Sequence, residues 1–352
     1  MAALEESIRD FAKSSCGFSL VGIAAATAAD HFHRLTEWLA RGYSGSMEYM
    51  HRHAEARRYP ASVLPEVKSI IMVALEYPIS REREQAIPFD RERDRAPNTG
   101  RVARYASGPD YHDIMRSKLN RMLDWLREQV PGCVGRGVVD TAPLLERDFA
   151  RRAGLGWIGK NTMLINKRRG SYFFLGALLT NLELQPDPPH EADHCGTCTA
   201  CLDACPTQAF TGPGWLDSRK CISYLTIELR QQIPEPQRPG VGDWVFGCDV
   251  CQEVCPWNRH DSSQPEALDL LELIRLDEQQ FRERFRGTVF FRTKRRGVLR
   301  NAIIALGNTG DEQALPALED SLNDEEPMIR EAAEWAIKLI RQRSDLELRA
   351  RK

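Results

Sequence analysis

The chain reads Cys195-Gly-Thr-Cys198-Thr-Ala-Cys201-Leu-Asp-Ala-Cys205-Pro206 beyond its midpoint, and this stretch decides its fold. The spacing is C-x2-C-x2-C-x3-C-P, which bacterial two-cluster ferredoxins use to hold iron–sulfur clusters. A second burst, Cys248-Asp-Val-Cys251-Gln-Glu-Val-Cys255-Pro256, repeats the pattern without its first cysteine. Cys221 lies between the bursts and can replace it. Eight of the ten cysteines therefore belong to one predicted ferredoxin-like unit.

In such ferredoxins three cysteines of one burst share a cluster with the fourth cysteine of the other burst. The pattern predicts two 4Fe–4S clusters, one on Cys195, Cys198, Cys201 and Cys255, and one on Cys205, Cys221, Cys248 and Cys251. Four disulfides are disfavoured, since tight C-x2-C triples are poor disulfide geometry. Two tetrahedral zinc sites are the stronger alternative, because spacing alone does not exclude zinc. The proline after the last cysteine of both bursts favours iron–sulfur clusters.

The composition sets limits on the rest of the chain. A length of 352 residues suggests two or three domains, and the net charge of −2 confines any nucleic-acid surface to a local patch. The amino terminus has no apolar signal segment, and no apolar run reaches 18 residues. We therefore expect a cytoplasmic protein with no membrane partner. The sequence gives no sign of oligomeric state, and a monomer is the working expectation.

The sequence of residues 1–184 predicts an α/β domain. Apolar periodicity predicts helices over 4–13, 31–41, 110–129 and 144–153, and strands over 18–24, 68–75, 135–140 and 170–180. Residues 79–100 are charged, contain prolines and predict a surface loop. Strands that alternate with helices indicate a sheet covered by helices.

Two further domains are expected. Residues 185–262 hold the clusters, and metal ligation rather than a large apolar core should stabilise them. Residues 263–352 are helical and charged. Helical segments at 300–311, 314–322 and 329–337, separated by Gly-Asp and Asp turns, resemble HEAT-type repeats.

Asp140 is the first candidate for chemistry. It follows the apolar residues Val138 and Val139 at the end of a predicted strand, where α/β proteins place active sites. Partial burial would raise the pKa of its carboxyl and suit it as a proton donor. The alternative is an N-cap for the helix that starts near Pro143. The residues themselves leave both possibilities open.

The second candidate is Arg151-Arg-Ala-Gly-Leu-Gly-Trp-Ile-Gly-Lys-Asn161. Its three glycines suggest that backbone approaches a bound group closely. The spacing fits neither a P-loop nor a dinucleotide fingerprint. A plain glycine-rich turn is the alternative. The histidines are uninformative: His112 and His194 lie near interesting stretches, but no partner for either can be read from the sequence.

The third candidate is a basic patch between residues 282 and 300. Only Glu283 opposes its eight cations; three phenylalanines are interleaved with them, and Phe281 directly precedes them. Such a concentrated patch is typical of phosphate-backbone binding, although a solvated helical face is the usual alternative. The cations are Arg282, Arg284, Arg286, Arg292, Lys294, Arg295, Arg296 and Arg300.

Together these pieces resemble one family, epoxyqueuosine reductase, over nearly the whole chain. The cysteine set and the helical tail match it. So do six strings: Arg57-Arg-Tyr-Pro60, Arg101-Val-Ala-Arg-Tyr-Ala-Ser-Gly-Pro-Asp-Tyr-His112, Val139-Asp-Thr-Ala-Pro-Leu-Leu-Glu-Arg147, Gly156-Trp-Ile-Gly-Lys-Asn161, Gly170-Ser-Tyr-Phe-Phe174 and Cys221-Ile-Ser-Tyr-Leu-Thr-Ile-Glu228. The resemblance implies a cobalamin cofactor beside two 4Fe–4S clusters. It also implies the last step of queuosine synthesis, in which the epoxide of epoxyqueuosine in tRNA is reduced.

The resemblance further implies roles for particular residues. Asp140 becomes the proton donor to the epoxide oxygen and a cobalamin neighbour. Cobalamin-lining positions fall on Arg58, Ala103, Tyr105, Lys160, Asn161, Leu164, Ser171, Leu175 and Ser223. Ala103 departs from relatives that have cysteine near this point, so no cysteine ligand to cobalt is expected there. The tRNA backbone would meet Arg230, Arg292, Lys294, Arg295, Arg296 and Arg300. An unidentified electron donor would reduce the clusters.

Three alternatives remain at this stage. A corrinoid reductive dehalogenase has a similar core, but it usually carries a twin-arginine signal and lacks the helical tail. An electron-transfer protein with a helical docking module would need neither corrin nor Asp140. A tRNA-binding scaffold could hold zinc in place of iron. Cys221 lies two residues from Ser223, which is a predicted cobalamin neighbour. If the main interpretation holds, the cluster that Cys221 binds should therefore be the one nearer to cobalt.

Overall fold

The computed structural model describes residues 2–77, 97–259 and 267–350. Its strands are β1 (Leu20–Ala25), β2 (Ser69–Glu76), β3 (Thr99–Val102), β4 (Gly135–Val138), β5 (Trp157–Ile158), β6 (Leu164–Ile165), β7 (Phe173–Thr180), β8 (Phe210–Gly212), β9 (Trp215–Leu216), β10 (Trp244–Phe246) and β11 (Ala267–Asp269). Within these ranges no helix has the length and apolar character needed to cross a membrane.

The helices range in length from 4 residues in α6 to 24 residues in α13. They are α1 (Ala2–Ser14), α2 (Phe32–Ala40), α3 (Glu48–Arg52), α4 (Tyr111–Gln129), α5 (Glu146–Arg152), α6 (Ala200–Asp203), α7 (Arg238–Val241), α8 (Val250–Glu253), α9 (Leu270–Ile274), α10 (Glu278–Phe285), α11 (Phe290–Thr309), α12 (Leu315–Ser321) and α13 (Pro327–Ala350). A π-helical turn spans Tyr224–Glu228.

The first 184 residues build a four-stranded sheet in the order β1-β2-β7-β4. All of its pairs are antiparallel, with Ile71 on β2 opposite Ile23 on one side and Leu178 on the other. Alternate residues of a strand point to opposite faces, so β2 buries Ile70 and Met72 on one face and Ile71 and Val73 on the other. The four predicted strands are confirmed, although β4 ends at Val138 rather than at Asp140, and the sheet is antiparallel throughout.

Helices cover both faces of this sheet, as predicted. Ile8 of α1 and Met115 and Leu119 of α4 pack on one face. Phe149 and Ala150 of α5 pack on the other. Each large apolar side chain buried in this way contributes about 1.5–3 kcal/mol relative to exposure. The two layers fix the ends of α4 and β4, which carry the residues described below.

A second sheet joins distant parts of the chain. Its order is β10-β3-β11, with β3 parallel to β10 and antiparallel to β11. Arg101 on β3 donates from Nε to Asp243 at 2.9 Å, just before β10. The prediction of a loop over 79–100 is wrong at Thr99 and Gly100, which belong to β3, and residues 79–96 lie outside the described ranges.

The carboxyl-terminal helices form the predicted array. Buried Ala302, Ile303 and Leu306 of α11 belong to one apolar core with Ala332 and Ala336 of α13. At Gly307 of α11 a Cβ would lie 2.4 Å from the Trp335 ring, so only glycine allows the two helices to approach this closely. The same core includes residues of β3 and β10, so the array is packed against the preceding sheet.

Arg300 lies inside this core and not on a nucleic-acid surface. Its side chain is fully buried on α11, and its guanidinium donates to the carbonyl oxygens of Leu225, Leu229 and Gln231 and to Asn301 Oδ1. Burial lowers the pKa of Arg300 to about 9. The prediction that Arg300 binds tRNA is therefore wrong, because its N–H groups already donate to carbonyl oxygens of the π-helical turn and of the segment after it.

We expect Arg300→Ala to lower the free energy of unfolding by about 3 kcal/mol, since it leaves a cavity and several buried carbonyl oxygens without donors. Denaturant unfolding of the protein would measure this. Arg296→Ala, at an exposed position four residues away, is the matched control and should change stability by less than about 0.5 kcal/mol. Equal stabilities for the two variants would contradict a structural role for Arg300.

Candidate active site

Asp140 stands two residues beyond β4, in the loop that leads to α5. Val138 of β4 pairs with Ala177 of β7, which fixes the position of this loop on the sheet. The Asp140 side chain remains 54% exposed. The N-cap of α5 is Leu145, and it makes no side-chain cap. The N-cap interpretation of Asp140 is therefore wrong, and its carboxyl is available to a substrate.

Two neighbouring residues at the start of α4 hold the Asp140 carboxyl. The Tyr111 hydroxyl donates a short hydrogen bond to Oδ2. Nε2 of His112 lies 2.7 Å from Oδ1. The His112 side chain is 4% exposed, so this ring is fixed by packing as well as by hydrogen bonds. One carboxylate is thus oriented through both of its oxygens.

The hydrogen-bond series continues beyond His112. Nδ1 of His112 lies 2.5 Å from Oδ1 of Asp110, the N-cap residue of α4. Oδ2 of Asp110 accepts from Nη2 of Arg292 on α11 at 3.3 Å. Because each ring nitrogen of His112 faces a carboxylate oxygen, the arrangement favours the protonated imidazole. The series joins the end of β4 to the helical array.

These contacts set the charge of the site. Desolvation raises the pKa of Asp140, but the hydrogen bonds from His112 and Tyr111 and the charge of His112 outweigh it, so this pKa lies below its ordinary value. Desolvation lowers the pKa of His112, but Asp140 and Asp110 outweigh it and raise this pKa above its ordinary value. The expected rise in the pKa of Asp140 is wrong. Both shifts favour a proton on His112 beside an ionised Asp140.

Aromatic rings form the wall behind the carboxyl. Tyr111 stacks on Phe174 of β7 with ring centroids 4.1 Å apart. Tyr105 meets Tyr111 edge to face at 6.2 Å and Phe246 of β10 at the same distance. The wall therefore runs from Asp140 to the strand that ends just before Cys248.

Two further carboxyl groups lie within electrostatic range of Asp140. Burial, with a smaller contribution from the charge of Asp140, raises the pKa of Glu146 to about 7. Its Oε1 atom is buried and has no hydrogen-bond partner within the described ranges. Burial also raises the pKa of Glu228, which Arg230 opposes. Sequence reasoning singled out neither residue, because their burial depends on contacts between distant segments.

The residues predicted to line a cofactor separate into two groups. Arg58, Tyr105, Lys160, Leu175 and Ser223 keep part of their side chains open, as Asp140 does. The other side chains are buried by protein atoms: Ala103, Asn161, Leu164 and Ser171. A Cβ on Gly247 would lie 2.5 Å from that of Ala103, so Ala103 is covered by the backbone next to Cys248.

The glycine-rich stretch forms a tight hairpin. A Cβ on Gly156 would lie 2.1 Å from the carbonyl oxygen of Ile165, and strands β5 and β6 pair directly after it. The close backbone approach is therefore made by the chain itself, as the plain-turn alternative predicts. Lys160 and Asn161 at its tip reach the cysteine loops. Lys160 Nζ donates to the carbonyls of Gly196 and Cys198 at 2.6 and 2.9 Å, and Asn161 donates to that of Cys251 at 3.3 Å.

The first predicted cluster site is a cavity. The thiols of Cys195, Cys198, Cys201 and Cys255 line a space of about 200 Å³, closed by Ile165, His194 and Trp257. Four thiols around one space are the ligand set that a 4Fe–4S cluster takes in two-cluster ferredoxins. Cys198 is exposed and Cys255 is buried, so the site lies close to the surface.

The second predicted site is deeper. Burial raises the pKa of Cys251, and the neighbouring Cys221 and Cys205 raise it further. Burial also raises the pKa of the Cys221 thiol. Hydrogen bonds from the backbone of Tyr224 and from the backbone and hydroxyl of Ser223 lower this pKa, but burial has the larger effect. Ser223 therefore touches a predicted cluster ligand. Cys221 and Cys248 both pack against the core that contains Phe246.

The basic residues differ in their surroundings. Arg230, Arg292, Lys294 and Arg296 are exposed. Arg295 is 17% exposed and pairs with Asp324 at 2.5 Å. Arg230 donates to the carbonyl of Arg292 at 3.0 Å, so these two guanidinium groups belong to one surface. We call Arg230, Arg292, Lys294 and Arg296 the basic face.

Three family models match the chain. A 4Fe-4S double cluster binding domain matches residues 194–258, so this segment is a two-cluster 4Fe–4S domain. A model for epoxyqueuosine reductase QueG (DUF1730) matches residues 57–141, which include Asp110, His112 and Asp140. HEAT repeats match residues 263–338, and the expected helical repeats are thereby confirmed.

Whole-chain relatives agree with these models. An epoxyqueuosine reductase of Pseudomonas aeruginosa is 40% identical over 349 residues, which cover 96% of this chain and 94% of the relative. A crystal structure of epoxyqueuosine reductase with a tRNA-Tyr epoxyqueuosine-modified stem loop is 34% identical, with a TM-score of 0.86 and coverage of 96% of this chain and 90% of that one.

A third relative is the epoxyqueuosine reductase from Bacillus subtilis, solved with its aspartate-bearing catalytic loop swung out of the active site. It is 34% identical with a TM-score of 0.85, and the match covers 96% of this chain and 91% of that one. The fold, the two-cluster domain, the helical repeats and these similarities lead to one conclusion: the chain belongs to the epoxyqueuosine reductase family of oxidoreductases.

Proposed function

We propose that this enzyme reduces epoxyqueuosine in the anticodon loop of tRNA to queuosine, with cobalamin bound beside Asp140 and two 4Fe–4S clusters as its electron source. The observation that carries the proposal is the Asp140 carboxyl. It is open to substrate, held through both oxygens, and joined by an aromatic wall to the strand before Cys248. A proton source and an electron source therefore converge on one place.

Cobalamin fits the predicted lining positions that stay open. Arg58, Tyr105, Lys160, Leu175 and Ser223 keep part of their side chains exposed, which leaves polar and apolar groups to contact a corrin. The corrin periphery carries amide groups that need hydrogen-bond partners. Glu146 would supply one, because its buried Oε1 has no partner among the residues that the structure describes and its pKa of about 7 lets it donate or accept. Bound there, cobalamin would supply the low-valent cobalt that drives reductive opening of an epoxide.

The protein's own task is to manage protons. Conversion of an epoxide to an alkene breaks both carbon–oxygen bonds, consumes two electrons and two protons, and releases water. His112 lies 2.7 Å from Asp140, so Asp140 can relay one proton from His112 to the epoxide oxygen, and the second proton is drawn from solvent. The Tyr111 hydroxyl donates to Oδ2, the carboxyl oxygen that His112 does not contact, and holds it in place during this transfer.

The burial of the cysteines supports an order for the electrons. Cys198 is exposed, so an external donor can approach the cluster proposed on Cys195, Cys198, Cys201 and Cys255. The cluster proposed on Cys205, Cys221, Cys248 and Cys251 is the inner one, because Ser223 and Phe246 connect it with the wall behind Asp140. We therefore keep the prediction that the Cys221 cluster lies nearer to cobalt.

The basic face is the proposed docking surface for the tRNA backbone. The relative solved with a modified stem loop supports an RNA substrate, and the cytoplasm is the proposed location. Arg295 contributes less, since Asp324 already neutralises it. Arg230 and Arg292 lie next to the Asp110 end of the hydrogen-bond series, so RNA bound there would reach the site of chemistry.

The double variant Lys294→Ala, Arg296→Ala is expected to weaken stem-loop binding about tenfold and to reduce the slope of log affinity against log salt by about 2, because each lost cation contacts the phosphate backbone. Fluorescence anisotropy at several salt concentrations would measure both effects. The control Lys338→Ala, Arg341→Ala removes the same charge from exposed positions on α13 and should leave the slope unchanged. Equal slopes for the two pairs would contradict the docking surface.

One experiment tests the function as a whole. The protein would be purified anaerobically, loaded with cobalamin, analysed for iron, sulfide and corrin, and assayed on a stem loop that carries epoxyqueuosine. We expect two clusters, one corrin and conversion to queuosine. Clusters without corrin binding would favour a plain electron-transfer protein, and bound corrin without epoxide reduction would overturn the proposed reaction.

A further inference from the structure

The hydrogen-bond series at Asp140 extends beyond the reaction site. Three contacts lie end to end: Asp140 to His112 at 2.7 Å, His112 to Asp110 at 2.5 Å and Asp110 to Arg292 at 3.3 Å. The last residue belongs to α11 and to the proposed basic face. One continuous line of polar contacts therefore joins the proposed proton donor to the proposed RNA surface.

Asp110 is tied to the helical array a second time. Its backbone N–H donates at 2.7 Å to the carbonyl of Gly287, in the turn before α11. Gly287 has a φ of +74°, which glycine adopts without strain. Asp110 thus contacts this part of the array through its backbone and its side chain, while its carboxyl also caps α4 by accepting from the N–H of His112 at 3.0 Å.

Arg292 is placed to exchange partners. Its side chain is 45% exposed, whereas that of Asp110 is 15% exposed. The guanidinium has five N–H donors, and only part of this capacity is used by Asp110. An incoming phosphate can therefore take up the charge of Arg292 without exposing Asp110.

We propose that Asp110 is a positioning residue that transmits the docking of an RNA phosphate on Arg292 to the His112–Asp140 pair. The proposal rests on the proposed function, in which Arg292 meets the RNA backbone. Without RNA, the cation of Arg292 competes with His112 for the carboxylate of Asp110. With RNA, the phosphate occupies Arg292, and the carboxylate of Asp110 stabilises protonated His112 alone. The proton needed at Asp140 is then held most firmly when substrate is present.

The charges around His112 give the sign of this coupling. Asp110 faces the ring from the cap of α4 and Asp140 from the loop after β4, and the Tyr111 ring packs on it with centroids 4.0 Å apart. Arg292 of α11 acts on His112 from beyond Asp110. Glu146, Glu228 and Tyr49 lie farther out, within electrostatic range of Asp140. Both carboxylates raise the pKa of His112 and Arg292 lowers it. Neutralising Arg292 therefore raises this pKa, whereas removing the charge of Asp110 lowers it.

Coupling between two binding events is reciprocal, so a proton on His112 must also strengthen RNA binding. We expect the wild-type holoenzyme to bind the epoxyqueuosine stem loop about fivefold more tightly at about pH 6 than at about pH 9. Asp110→Asn keeps a good N-cap but loses the charge, and it should abolish most of this difference. The alkaline limb of its single-turnover rate should also move about one pH unit lower.

Asp113→Asn is the matched control, since Asp113 is exposed on the same turn of α4 and pairs only with Arg116 among the described residues. It should behave as wild type in both measurements. Arg292→Gln provides a second test with Asp110 intact, and it too should flatten the dependence of binding on pH. If Asp110→Asn retains the wild-type pH dependence of binding and rate, Asp110 is only a helix cap and the inference is wrong. Failure of the wild type to reduce the epoxide would contradict the proposed function instead, and the binding measurements would still decide the role of Asp110.

Discussion

Asp140→Asn is expected to lower the rate of epoxide reduction by about a thousandfold, a typical loss when a positioned proton donor is removed. An asparagine oxygen can still accept from His112, so the arrangement of the side chain is retained. The amide cannot relay a proton from His112 to the substrate. Single-turnover assays on the epoxyqueuosine stem loop would measure the loss.

The same variant should keep its iron, its corrin and its affinity for the stem loop within about threefold, because the Asp140 side chain supports none of the described cluster contacts. Asp124→Asn, an exposed carboxylate of α4 that pairs with Arg127, is the control for loss of a surface charge. Turnover at the wild-type rate in Asp140→Asn would show that the proton comes from elsewhere.

Cys248→Ser is expected to abolish turnover and to lower the iron content from about eight to about four atoms per chain, since one 4Fe–4S cluster loses a ligand. Cys248 lies beside Gly247, whose Cα hydrogen faces Ala103 and Tyr105, so the inner cluster is the one removed. Electrons from the outer cluster would then lack an acceptor next to the proposed cofactor. Iron analysis and assay with a chemical reductant would measure both effects.

Cys133→Ser tests the specificity of this result. Cys133 is buried next to Thr180, 3.5 Å from its hydroxyl, and lies outside both predicted cluster sets. This variant should keep about eight iron atoms and its turnover. Loss of iron in both variants alike would mean that instability of the fold, rather than a missing ligand, empties the site.

The cysteine spacing and the apolar periodicity predicted most of the fold. Both are local signals: ligand spacing reflects the reach of a few residues around a cluster, and the alternation over 69–76 reflects which face each side chain occupies. Pairing between strands is not local. The sequence indicated a covered sheet, but the antiparallel order and the insertion of β3 between β10 and β11 depend on contacts across more than 100 residues.

The candidate site shows the same limit. Asp140 was recognisable because a carboxylate follows an apolar strand. His112 was not, since its partner is 28 residues away and is reached only when the start of α4 meets the end of β4. Arg300 shows the opposite error. Its charge resembles that of its exposed neighbours, and only the packing of α11 reveals that it donates to buried carbonyls.

The second sheet has a consequence for how the enzyme is made. After a ribosome has synthesised β3, it must add about 165 more residues before it reaches β11. This takes on the order of ten to thirty seconds. All eight predicted cluster cysteines are translated within that interval, because they lie between the two strands in sequence. The nascent chain therefore presents its thiols before the last strand can close the sheet beside them. Delivery of iron and sulfide during translation would meet an open site, whereas repair of a finished molecule would meet cysteines that are mostly only partly exposed.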